Sequence, residues 1–137
     1  MCKEKIFDCI TFYDENFLTN LRFEILNDVV DFFVVCESKF DHKGNPKPLN
    51  FSLLNKKFEN KVRYLVIEEQ FPDPKNGWSC ESYQRENIFD ALSDASLEDY
   101  IFFSDSDEIP NPNELINFSL KKNLLFSFKN FLFIKLI

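Results

Sequence analysis

Short apolar runs, separated by polar stretches that often carry proline or glycine, divide the first hundred residues into alternating strand-like and helix-like segments. Ile6–Phe12 reads as a first strand, and Tyr13–Asn16 as a polar loop. Leu18–Leu26 reads as a helix whose Leu18, Leu21, Ile25 and Leu26 recur near helical spacing. Asp31–Cys36 is almost continuously apolar, as in a parallel strand covered on both faces, and it stops at Glu37 and Ser38. After a polar loop over Lys39–Pro48, the pattern predicts a short helix at Phe51–Phe58, with Asn50 or Ser52 available as its cap. Val62–Ile67 returns as a strand.

Two prolines and a glycine keep Glu68–Gly77 irregular. Trp78–Leu92 is the clearest helix, with Tyr83, Ile88 and Leu92 on an apolar side and Glu81, Arg85 and Glu86 offering polar ends. Tyr100–Phe103 is the next strand. Asn111 and Pro112 then supply an N-cap and a proline at the first helical position, opening a short helix through Leu120. The order βαβαβαβα predicts an open, largely parallel α/β sheet with right-handed crossovers, in a single domain over residues 1–137. The tail Asn123–Ile137 adds one or two strand-like runs and ends apolar. Two expectations follow from it: pairing with a second copy of the chain in a homo-oligomer, or a domain whose later elements are missing.

Composition narrows the partners. Of 137 residues, 45% are hydrophobic and 17% aromatic, enough for one packed core. The formal net charge of -7 argues against a nucleic-acid partner, whose binding depends on basic residues near phosphates. Cys2, Cys9, Cys36 and Cys80 are widely spaced and form no CxxC pair, so reduced, buried thiols are expected rather than a zinc site. Met1–Cys9 does not read as a signal peptide, and Lys121, Lys122, Lys129 and Lys135 interrupt the apolar tail below the length of a membrane span.

The conspicuous chemistry lies in Ser104–Pro110, where a buried strand surfaces into Asp105, Asp107 and Glu108. Ligands of open α/β sheets sit outside the carboxyl ends of the strands. Asp105 and Asp107, one residue apart, can approach one hard cation such as Mg²⁺ or Mn²⁺, which would neutralise a diphosphate ligand. The alternative is an acidic, solvent-facing turn that caps the following helix. A divalent ion here would favour displacement with a phosphate leaving group.

Other candidates are weaker. Arg85 could fork onto a phosphate or pair with Glu81 four residues earlier. Asn87 could bind a ligand amide or ribose, or simply lie on a helix surface. Asp8, between Phe7 and Cys9, must find donors if buried. Glu37 and Ser38 share the expected ligand edge, or merely end a strand. The only histidine, His42, sits in a loop beside Lys43 and Lys47 and is expected to face solvent, the alternative being contact with an acidic sugar or diphosphate. Trp78 could stack on a sugar or anchor the start of its helix. Neither G-x-G-x-x-G nor a P-loop follows the first strand, which disfavours dinucleotide and P-loop enzymes and weakens a nucleotidyltransferase reading.

Five ordered segments, Phe7–Glu15, Leu21–Ser38, Gly44–Phe51, Trp78–Leu92 and Ile101–Pro112, together resemble the glycosyltransferases of family 17, the beta-1,4-mannosyl-glycoprotein 4-beta-N-acetylglucosaminyltransferase type. The similarity spans roughly Ile6 to Leu120. It implies a GT-A-like (Rossmann-like) fold, of which this chain would be the N-terminal donor-binding portion. It also implies UDP-N-acetylglucosamine as donor, a glycan acceptor, and inverting transfer into a β-1,4 linkage, as in N-glycan bisection. Carried over by position, Asp105 and Asp107 become the DxD metal ligands. Asp8, Glu37, Arg85, Asn87 and Asp105 become donor-binding residues, and Glu108 the candidate catalytic base or a support of the metal site. The family's place of action implies the Golgi membrane system for a eukaryotic enzyme, and a cytoplasmic or peripheral-membrane location for a microbial one. The alternative is a noncatalytic nucleotide-sugar-binding or assembly remnant.

Overall fold

A computed structural model describes residues 3–117, 126–128 and 131–135, the last two segments through their backbone and pairing. The strands are β1 (Ile6–Phe12), β2 (Phe32–Ser38), β3 (Val62–Ile67), β4 (Tyr100–Ser104), β5 (Phe126–Phe128) and β6 (Phe131–Lys135). The helices are α1 (Asn16–Leu26), α2 (Gly77–Asn87) and α3 (Pro112–Ile116). They build one sheet in the order β3-β2-β1-β4-β6-β5. The first four strands run parallel, whereas β6 pairs antiparallel with β4, from Tyr100 opposite Lys135 to Phe103 opposite Leu132. This is a Rossmann-like α/β arrangement, and the sheet itself accommodates the described part of the tail.

Strand parity explains the two cores. Ile10 and Phe12 of β1, Phe33 and Val35 of β2, and Tyr100 and Phe102 of β4 point to one face, where Phe23 and Leu26 of α1 cover them. Phe7, Cys9, Val34, Cys36, Ile101 and Phe103 point to the other, beneath Ile88 and Leu92. Both faces are thus closed, which is why β2 is buried along nearly its whole length. The thiols of Cys9, Cys36 and Cys80 are free and buried within this packing. Burial, with a smaller contribution from the Asp90 charge, pushes the Cys36 thiol up to about 12, so it remains protonated at neutral pH.

Three expectations change. The predicted helix at Phe51–Phe58 is reduced to a 3-10 turn at Lys56–Phe58, capped by Asn55 instead of Asn50 or Ser52. Side chains of other elements have taken the backbone groups a helix would need. Asn16 accepts from Ser52 N–H at 2.7 Å, Asn20 donates to Ser52 C=O at 2.9 Å and accepts from Leu54 N–H at 2.9 Å, and Glu37 takes the Asn50 and Phe51 N–H groups. Second, the long helix starts at Gly77, where Asn76 accepts from Ser79 N–H, and tightens into a 3-10 turn over Ile88–Leu92. Third, α3 stops at Ile116; residues 118–120 lie outside the described residues. Among the described residues, no helix is long and apolar enough to cross a membrane.

The face of α1 also differs from its periodic reading. Leu21 and Ile25 are 39% and 41% exposed, while Thr19, Asn20, Arg22, Phe23 and Leu26 are buried. Polar residues with distant partners have displaced part of the apolar stripe.

Candidate functional site

The chain steps outward from β1 to β2 to β3, then returns to place β4 on the other side of β1. Strand order therefore reverses between β1 and β4, and a crevice opens at their carboxyl ends. A pocket of about 440 Å³ occupies this edge. Thr11, Phe12 and Tyr13 contribute from the end of β1, Ser38, His42 and Lys47 from β2 and its following loop, Gln84 from α2, and Asp105, Ser106 and Asp107 from the turn after β4.

That turn is closed by a hydrogen bond from Glu108 N–H to Asp105 C=O at 3.1 Å. Asp105 and Asp107 are exposed, whereas Ser106 is buried between them. Below the turn lies Arg22, wholly buried on α1. Its Nε and Nη2 donate to the two oxygens of Asp8, both at 2.7 Å. Nη2 also donates to Ser104 Oγ at 2.6 Å, and Nη1 to the carbonyls of Asp105 and Glu108 at 2.9 and 3.0 Å. Parity makes the pairing possible, because Asp8 and Ser104 face the α1 side of the sheet with Ile10 and Phe102.

Glu37 anchors the opposite wall. It is fully buried and accepts from Lys47 Nζ at 2.6 Å, Asn50 N–H at 2.7 Å, Tyr64 Oη at 2.7 Å and Phe51 N–H at 3.1 Å. Burial opposes its ionisation, but Lys47 and the three other donors outweigh burial and hold the carboxyl below the usual glutamate range. Burial, then the hydrogen bond and charge of Glu37, push the Tyr64 phenol up. Lys47 also lies 5.1 Å over the ring of Tyr13.

The other sequence candidates scatter around this edge. Arg85 pairs with Glu81, stands 3.7 Å from the Asp105 carboxylate and lies 4.8 Å over the Phe103 ring, with its buried Nε lacking a hydrogen-bond partner. Asn87 donates to the Tyr83 carbonyl at 2.8 Å, away from the pocket lining. Glu108 is half-buried, with one carboxylate oxygen, Oε2, buried and unpartnered. His42 is exposed and lines the pocket, its ring packed edge-on against Phe71. Trp78 is 84% exposed and Asn76 caps its helix, so the indole does not anchor that end.

Comparison with known proteins bears on what such a site serves. The family model described as Glycosyltransferase family 17 matches residues 1–133. The chain belongs to this family. Among curated proteins it is similar to the beta-1,4-mannosyl-glycoprotein 4-beta-N-acetylglucosaminyltransferases of Rattus norvegicus and Homo sapiens, each 35% identical over 116 residues. The Mus musculus protein of the same name is 34% identical over 116 residues. Each match covers 77% of this chain and 22% of the relative, so the chain spans under a quarter of the length of the curated relatives it matches. No solved structure matches it.

Carboxylate oxygens such as those of Asp105 and Asp107 are the donor type that hard divalent ions take. Mg²⁺ in particular is commonly held by one or two carboxylates together with substrate phosphates and water. Among the described residues, no group of three or more His, Cys, Asp or Glu side chains is placed to hold a metal alone. The sequence reading did not anticipate Arg22, Lys47 or Gln84. Only Arg22 carried a signal: it falls midway between Leu18 and Leu26 at i, i+4, i+8 spacing, an ion on a core-facing row.

Proposed function

We propose that this chain forms the donor-binding part of a GT-A-type, metal-dependent, inverting glycosyltransferase. Its donor is UDP-N-acetylglucosamine, its acceptor a glycan, and its product a β-1,4 linkage. The observation that carries the proposal is the position of Asp105 and Asp107, exposed at the carboxyl end of β4, beside the strand-order reversal and on the wall of a pocket of about 440 Å³. The family match and the names of the relatives support the donor class.

Asp105 and Asp107 would hold Mn²⁺ or Mg²⁺, which supplies neutralisation of charge on the departing diphosphate. The chain's own groups do the rest. Arg85, whose guanidinium stands 3.7 Å from the Asp105 carboxylate, carries a planar fork suited to phosphate oxygens. Tyr13, 48% exposed at the end of β1, offers an aromatic surface to a base or sugar ring. Asp8 and Glu37 act indirectly, since their oxygens hold Arg22 and the loop after β2 in place. Inversion requires a carboxylate to take the proton of the acceptor hydroxyl, and Glu108, adjacent in sequence to Asp107, is the candidate base. Its Oε2 is buried and outside the pocket lining, so it would have to turn outward to serve.

Donor identity is tested by competition calorimetry on the folded chain with Mn²⁺. UDP-N-acetylglucosamine should displace UDP, while guanosine and cytidine diphosphate sugars should not. Equal displacement by all three would reject the assignment.

A further inference from the structure

We infer that Arg22 is a positioning residue for the metal-binding turn, setting the separation of Asp105 and Asp107 through the backbone that carries them. The inference rests on the donor site proposed above. A guanidinium has five N–H donors, and Arg22 makes five hydrogen bonds: two to Asp8, one to Ser104 Oγ, and one each to the carbonyls of Asp105 and Glu108. Its capacity is fully used inside the protein, leaving none for a ligand.

The targets of these bonds are informative. Asp105 and Glu108 bracket the turn, and their carbonyls are tied to the same nitrogen, Nη1. Ser104 Oγ accepts from Arg22 and itself donates to the Glu108 carbonyl at 3.3 Å. Together with the Glu108 N–H bond to Asp105, these contacts join the ends of the turn to each other and to β1 through Asp8. The exposed carboxylates take their spacing from this backbone.

Stability alone does not account for the arrangement. Burying an ion pair is costly, and well-packed apolar residues of similar volume often serve a core as well or better. Asp8 also balances the charge of Arg22, so the cation directly under the turn does not cancel the negative field its outward carboxylates offer to a metal. Lysine, a compact charge with three donors, cannot span the same five acceptors.

The test compares wild type, Arg22→Lys and Ser104→Ala. UDP affinity is measured with and without Mn²⁺, alongside melting temperature and amide hydrogen exchange. In folded R22K, the gain in UDP affinity on adding Mn²⁺ should fall about 10- to 100-fold, the usual effect of removing a group that orients metal ligands. Metal-free UDP affinity should change by less than about threefold, and the amides of Ser106–Glu108 should exchange faster, while those of β1 do not. An unchanged Mn²⁺ gain, or a parallel fall in both affinities with the melting temperature, would overturn the assignment. Should R22K fail to fold, S104A decides the question: faster exchange in the turn and an approximately threefold smaller Mn²⁺ gain support it, and no change in either refutes it. If wild type shows no Mn²⁺-dependent UDP binding, the donor-site proposal fails. Exchange in the variants then judges Arg22 alone, and a turn no less protected than in wild type rejects its role.

Discussion

Glu37 provides a measurable link between the pocket wall and stability. Replacing it with Gln keeps the shape but removes the charge that faces Lys47 Nζ at 2.6 Å and three other donors. The side chain is 0% exposed and that of Lys47 8%, so water cannot readily replace the lost partner. Removing one member of a buried ion pair costs about 3–5 kcal/mol, a substantial part of the roughly 5–15 kcal/mol that holds a domain folded. Urea unfolding at neutral pH should therefore show a clearly lower midpoint for E37Q. Acid should reproduce the effect in wild type. Because the folded-state pKa of Glu37 is depressed, its contribution is full above the unfolded value of about 4.3 and is lost as pH falls through the lower folded value. E37Q should lack that component of the acid profile. A change below about 1 kcal/mol with an unaltered acid profile would refute the claim that this carboxylate latches the loop after β2.

Two further changes probe the frame. Phe23 packs with ring-centroid distances of 4.6 Å to Phe33 and 5.8 Å to Phe58, and F23A should destabilise by about 3–5 kcal/mol in the same unfolding assay. Gly44 adopts φ +84, and a Cβ there would approach Pro74 Cβ to 2.8 Å, so G44A should cost about 1–3 kcal/mol, with an unchanged midpoint counting against a left-handed turn at this position.

The parallel strands were legible because burial on both faces leaves a plain mark: in Phe32–Cys36 every residue is apolar, whichever way it points. The carboxyl edge followed, since Asp105 and Asp107 come directly after such a strand. What hydropathy could not reveal was polar burial. Thr19 and Asn20 look like surface residues of α1, and the place of Arg22 on the row of Leu18 and Leu26 does not name its acceptors, yet Asn20 and Arg22 are buried with partners 14 to 86 residues away in sequence. The same contacts explain the missing helix at Phe51, whose backbone is held by Asn16, Asn20 and Glu37. Asp8 reads as a carboxylate that needs donors if buried, but nothing in the sequence names Arg22 on the next helix as their source. Antiparallel β6 escaped the expectation of a largely parallel sheet because a short apolar run does not encode its direction.

The central claim is that Asp105 and Asp107 jointly bind a divalent ion together with the donor diphosphate. The most direct measurement is calorimetric titration of the chain, and of its folded D105N/D107N variant, with UDP in the presence and absence of Mn²⁺. Tighter binding with Mn²⁺ in wild type, and loss of that gain in the variant, is the predicted result. Equal UDP affinity with and without Mn²⁺, or a gain that survives the double substitution, would contradict it.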